Sequence, residues 1–202
     1  TRIYDYDKIY AKSAIKYNRI ARSFDPDNNK DTDVHNLNGL YGSGGIYSTV
    51  FDLFNFCKHY KHQKYFLLEN HNYYTNFSDV NKSHYGWRSE KNSMNFFHSG
   101  SWNSYRNIIQ FNLSLNSCVI ILSNSAKDTY AHSYFINWYT NLIKNNGIVN
   151  NAKVKDYITS KWRNFNGSIL IGDIQTEKVL AVYSQGKLYS GVNPPNVKND
   201  SI

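Results

Sequence analysis

Residues 95 to 124 constrain the fold more than any other part of this chain. Three segments there, roughly 95–101, 105–113 and 117–124, alternate in character and are rich in β-branched and aromatic residues, the types that suit a pleated, half-buried surface. Only Asn103-Ser104 and Ser114-Leu115-Asn116-Ser117 stand at the joins. A parallel connection needs a dozen or more residues, so joins this short leave only antiparallel hairpins. The spacing predicts a three-stranded meander whose faces the rest of the chain must cover.

The flanking segments supply the cover. Thr49 is placed to cap a helix, with Asp52 three residues on as an acidic variant of the capping box. Val50, Leu53, Phe54 and Cys57 then keep helical spacing, so that helix buries one face. After the meander, Asp128 or Thr129 opens a second helix with Tyr130, Tyr134, Trp138 and Leu142 as its expected stripe, and Gly147 stops it. Val154, Tyr157, Ile158 and Trp162 mark a third helix. Residues 167–171 and 178–183 read as two further strands across a polar loop, before Pro194-Pro195 and a polar tail. Residues 1–38 are polar and irregular, with a turn cluster at Asp25-Pro26-Asp27-Asn28-Asn29. Residues 61–84 form a connector.

Length and composition agree with a packed domain. The 202 residues suffice for one core, or for one domain with a small appendage. Apolar residues make up 41% and charged residues 19%, and 18 Tyr with 11 Phe mean that rings fill much of the interior. The net charge of +8 favours polyanions, but the basic residues are scattered and no nucleic-acid motif is present, so nucleic acid is not expected as a partner. Cys57 on the first helix and Cys118 in the run Cys118-Val119-Ile120-Ile121-Leu122 read as small buried hydrophobes in preference to a disulfide or a thiol nucleophile. No apolar run reaches the length of a membrane span. The start, Thr1-Arg2-Ile3-Tyr4-Asp5, has neither an initiating Met nor a signal-peptide pattern, and reads as a chain beginning in the middle of something.

Two stretches point to a family. Gly39-Leu40-Tyr41-Gly42-Ser43-Gly44-Gly45 puts four glycines in seven residues. Its continuation, through Ile46-Tyr47-Ser48-Thr49-Val50-Phe51-Asp52-Leu53, resembles the glycine turn and Ser-Thr-x-x-Asp-Leu helix start of class C β-lactamase-like hydrolases. Tyr85-Gly86-Trp87, His98-Ser99-Gly100-Ser101-Trp102 and Ile120-Ile121-Leu122-Ser123-Asn124 resemble, in order, that family's Tyr-Gly-x-Gly-Trp approach, its His-x-Gly strand and its Val-x-x-Leu-x-Asn strand ending. The resemblance covers residues 35–146. It implies acyl transfer by a serine hydrolase of the β-lactamase and penicillin-binding type, in which an activated serine attacks a carbonyl and a Lys, assisted by a Tyr, manages its proton.

By that resemblance the His-x-Gly strand is one wall of the cleft. His98 faces the substrate, Gly100 lets the substrate backbone approach, and Ser101 offers a backbone N–H to the oxyanion hole, a contribution commonly worth a few kcal/mol. Ser99 lines the same wall; Trp102 either lines the cleft or packs as a core aromatic. Histidines 35, 59, 62, 71, 84 and 132 show no metal-ligand spacing, and no metal or cofactor is implied.

The family nucleophile sits in Ser-x-x-Lys, far upstream of the glycine turn. Ser13-Ala14-Ile15-Lys16 matches by letter but lies too close to that turn, and Ala14 to Tyr17 better fits the stretch just before it. Tyr74-Thr75-Asn76 and Tyr139-Thr140-Asn141 match Tyr-x-Asn by letter only. The tail adds a second clue. Phe165-Asn166-Gly167-Ser168-Ile169-Leu170-Ile171 resembles the family's N-terminal first strand, a helix near 153–163 precedes it, and 179–189 fits the second strand. Pro195 to Ile202 resembles the run-up to Ser-x-x-Lys. The order looks rotated, with the helical middle absent, as a circular permutation, a tandem-copy junction or an edited chain would give. The alternative for 151–202 is a small appended β-rich domain.

The expectation is therefore an α+β fold: a β-lactamase-like antiparallel sheet of about five strands flanked by helices, with residues 1–150 the C-terminal half and 151–202 completing the sheet. The expected substrate is a β-lactam, a D-alanyl peptide or ester, or a peptidoglycan-type ligand. The chain alone is expected to be inactive. The family is usually exported, which implies proximity to membrane or cell wall; oligomeric state stays open. Two other classes remain: a non-catalytic module binding wall polymer or small molecules, and a basic polyanion binder.

Overall fold

The computed structural model describes residues 2–3, 23–25, 30–31, 44, 46–62, 86–89, 95–125, 131–146, 151–161, 165, 167–184 and 187–190. The turn clusters at 26–29 and 39–43, Ser13 to Lys16, Tyr74 to Asn76, Gly147, Trp162 and the tail beyond 190 lie outside the described residues, as do His35, His71, His84 and Tyr85.

The predicted meander is present. Strands β6 (Asn95–Trp102), β7 (Tyr105–Asn112) and β8 (Ser117–Ser123) pair antiparallel, with Phe97 opposite Gln110 and Ile109 opposite Ile120. Asn103 turns the first hairpin at φ 46° and Asn116 the second at φ 48°, a left-handed geometry that Asn tolerates better than most residues. Asn112 Oδ1 accepts the Leu115 N–H at 2.9 Å and tightens the second turn.

The sheet is wider than five strands. Strands β9 (Gly167–Asp173), β10 (Lys178–Ser184) and β11 (Lys187–Ser190) continue it beyond β8, and the two-residue β5 (Arg88–Ser89) flanks β6 on the opposite side. The order is β11-β10-β9-β8-β7-β6-β5, antiparallel throughout. Six of these strands have four or more residues. The extra strand arises where 179–189 was expected to be one strand: the chain turns back after Ser184, and Ser184 pairs with Lys187. Four short strands stand apart as two pairs: β1 (Arg2–Ile3) with β4 (Ile46–Tyr47), and β2 (Phe24–Asp25) with β3 (Lys30–Asp31).

Helices cover both faces. On one side lies α1 (Val50–His62), whose Val50, Phe54 and Cys57 pack with Phe96, Phe111, Cys118, Ile120 and Leu170. On the other lie α2 (Ala131–Asn146) and α3 (Asn151–Lys161), whose Phe135, Tyr139, Val154 and Ile158 pack with Val119, Ile121, Ile169 and Ile171. Strands β8 and β9 are therefore apolar on both faces, as central strands must be when both are covered.

Thr49 caps α1 as expected: its Oγ1 accepts the Asp52 N–H at 3.1 Å, and its carbonyl accepts from Leu53. Of the stripe expected on α2, Leu142 is buried and Trp138 half-buried, while Tyr130 and the Tyr134 side chain lie outside the described residues. The buried line is Phe135, Ile136, Tyr139 and Leu142. At 3.6 residues per turn a strict i+4 series drifts by about 40° per step, so such a line leaves the face it started on. Trp138 is half-buried and stacks on Tyr157 of α3 at 4.3 Å, joining the two helices at the margin of that cluster.

Candidate functional site

All five residues singled out on the meander lie in the C-terminal part of β6. His98, Ser99, Gly100, Ser101 and Trp102 are exposed, Trp102 by 43%. Side chains alternate across a strand. Phe96 packs among the α1-side residues and Phe97 against the α2–α3 side, so His98 and Trp102 fall on the α1 side and Ser99 and Ser101 on the other. On one edge, positions 98 to 102 pair with β7, from Ile109 to Tyr105. On the opposite edge β5 reaches only Phe96 and Phe97. Beyond Phe97, no strand among the described residues pairs with that edge, and an unpaired edge presents backbone N–H and C=O groups.

His98 is held in place. Its Nδ1 donates to the Gly86 carbonyl, and because a carbonyl only accepts, the neutral ring carries its proton on Nδ1 and keeps the Nε2 lone pair. Gly86 adopts φ 86°, and the next residue, Trp87, is buried edge-on to Phe111 at 4.7 Å and stacked with Phe56 at 6.2 Å. Two separate sequence stretches, Gly86-Trp87 and His98-Ser99-Gly100, are thereby brought together.

Gly100 stands in open space. A Cβ there would meet nothing within 4 Å, and its φ is not in the left-handed region. Neither packing nor backbone geometry of the described residues demands glycine there. The far end of β6 is aromatic and firmly built. Trp102 pairs with Tyr105, whose ring meets Tyr47 edge-on at 6.4 Å. The turn beyond is anchored by the buried Ser23, whose Oγ accepts the Ser104 N–H at 2.8 Å. Arg106, opposite Ser101, donates from Nη1 to the Asn103 and Tyr105 carbonyls.

Tyr139, one of the two letter matches to Tyr-x-Asn, is a core ring. It is fully buried, its hydroxyl has no hydrogen-bond partner, and burial, followed by the neighbouring Asp173 charge, pushes its phenol far above the ordinary value. A ring so fully enclosed in the core has no access to a substrate. Among the described residues no group of three or more His, Cys, Asp or Glu gathers as a metal would require, and no helix is long and apolar enough to cross a membrane.

Sequence reasoning missed two features: the Ser23 anchor and a direct contact between Cys57 and Cys118. Ser23 carried no usable signal. The cysteine contact did: helical spacing puts Cys57 on the buried face of α1, and alternation puts Cys118 beside Ile120 on the sheet face that this helix covers. No family model, curated protein or solved structure matches the chain.

Proposed function

We propose that the chain carries one wall of an acyl-transfer cleft of the serine β-lactamase and penicillin-binding type, built on the exposed end of β6. The observation that carries this reading is the placement of His98 against Gly86, at a strand end whose outer edge meets no strand among the described residues and whose Gly100 has free space over it. The order β10-β9-β8-β7-β6 supports it too, because it puts 167–184 beside β8, where the rotated arrangement inferred from the sequence needs them.

In this reading a substrate carbonyl lies along the open edge, with Gly100 permitting close approach. The Ser101 backbone N–H donates to that carbonyl oxygen, at the place where an oxyanion would form in a complete cleft. Nε2 of His98 accepts a hydrogen bond from the bound acyl donor. The attacking serine and its Lys have no counterpart among these 202 residues at the family's position, so the wall binds acyl donors without turning them over. A fluorescent penicillin or a fluorophosphonate should leave the chain unlabelled. Covalent label mapped to a serine of this chain would overturn the claim that it lacks the nucleophile. Saturable binding of peptidoglycan fragments with no binding of a β-lactam or D-alanyl peptide would favour a wall-polymer module instead.

A further inference from the structure

Cys57 and Cys118 are 61 positions apart in the chain, yet their sulfurs lie 2.7 Å apart. Both thiols are free, 3% and 0% exposed, and they are the only cysteines in the sequence. Non-bonded heavy atoms ordinarily pack about 3.5–4.0 Å apart, whereas a disulfide spans about 2.05 Å. The pair therefore sits nearer than packing requires, on the line where α1 meets the central strand β8, among Phe54, Ile120 and Leu170.

We propose that Cys57 and Cys118 form a redox-closed clamp, in which oxidation by a hydroperoxide joins the two sulfurs and pins α1 to β8. The Cys57 sulfur attacks hydrogen peroxide, the O–O bond breaks, and Cys57 sulfenic acid and one water form. The Cys118 sulfur then attacks Cys57 Sγ and the S–O bond breaks. The departing hydroxide takes the Cys118 proton and becomes a second water. Two thiols and one peroxide give one disulfide and two waters, and the two electrons lost by sulfur are gained by the peroxide oxygens. Cys57, the slightly less buried of the two, is the sulfur a peroxide reaches first and Cys118 resolves. Burial, then the bond to Cys57, holds the Cys118 thiol up, so closure is slow in the folded state. The loop so closed contains β5, β6 and β7, hence the whole His98 wall; closing a long loop constrains the unfolded chain strongly. This inference stands independently of the acyl-transfer reading.

The test treats the folded full chain with hydrogen peroxide, then denatures it, alkylates with iodoacetamide and maps peptides by mass. The expected product is lighter by two hydrogens, resists alkylation, links the Cys57 and Cys118 peptides, reverts with dithiothreitol and melts about 5–10 °C higher. In Cys118→Ala, Cys57 should be trapped by dimedone as the sulfenic acid, with no rise in melting temperature. The clamp is overturned if both thiols still alkylate after a treatment that fully oxidises a small free thiol. Sulfinic acids or chain-to-chain dimers as the only products would overturn it equally. Mapping of the unsubstituted chain decides the matter even if Cys118→Ala does not fold.

Discussion

At Gly172 an added Cβ would lie 2.1 Å from Cε2 of Phe54, while at Gly100 it would meet nothing within 4 Å. The first glycine lets the α1 ring lie flat on the sheet; the second leaves room outside it. Gly172→Ala should therefore cost about 3 kcal/mol by overpacking, read as a lower urea midpoint. Gly100→Ala should leave stability unchanged or raise it by about 0.5 kcal/mol, since Ala costs a strand less entropy than Gly, while weakening any ligand that lies along the edge. Tyr139 gives a second residue-level prediction. Its buried hydroxyl has no partner, and such a group costs about 1–3 kcal/mol, so Tyr139→Phe should be neutral or stabilising. The pH dependence has a definite sign. The folded phenol stays protonated well above its ordinary value of 10.0, whereas the unfolded one ionises there. Above about pH 10 the unfolded state binds fewer protons, and stability falls by about 1.4 kcal/mol per pH unit. Tyr139→Phe should lose that share of the alkaline slope in urea melts taken from pH 9 to 11.

Among the elements, α1 depends on Thr49 for its start. Thr49→Ala removes the acceptor for the Asp52 N–H and should lower stability by about 1 kcal/mol, seen as a drop in thermal midpoint of about 2–4 °C. The elements differ in how legible they were. The meander was readable almost to the residue, because alternation and short Asn turns both signal locally: 95–101 became Asn95–Trp102, and 117–124 became Ser117–Ser123. Strand β11 was not, because Lys187–Ser190 is four residues long and only Gln185-Gly186 separates it from β10, so 179–189 reads as one run. On α2, Leu142 is buried as expected, but Tyr139 rather than Trp138 is the fully buried ring, because helix rotation, which only tertiary packing fixes, decides which of two large rings meets the sheet. In the site, His98 to Ser101 could be placed on one strand from sequence alone, with Trp102 one residue past its expected end. The bond from His98 to Gly86 could not, since a contact spanning twelve positions depends on how β5 lies against β6.

Across the whole molecule, a single sheet runs from β5 to β11 in strict chain order, interrupted only by the excursion through α2 and α3. The hairpin at 167–184 thus belongs to the same core as the meander: Ile169 and Ile171 share their apolar cluster with Val119 and Ile121. Ending the chain after residue 146 would remove α3 and strip β8 of its neighbour, exposing an apolar strand edge. That truncated chain should aggregate or stay unfolded, checked by size-exclusion chromatography and circular dichroism. A folded, monomeric product would mean that the two parts are separate units. The central claim, that the open end of β6 is the wall of an acyl-transfer cleft, is tested most directly by amide NMR of the labelled chain titrated with a penicillin or a D-alanyl-D-alanine peptide. The account predicts saturable shifts centred on the Gly100 and Ser101 amides, abolished in a folded Gly100→Val variant. Shifts that leave those two amides unmoved, or that survive Gly100→Val, would contradict it.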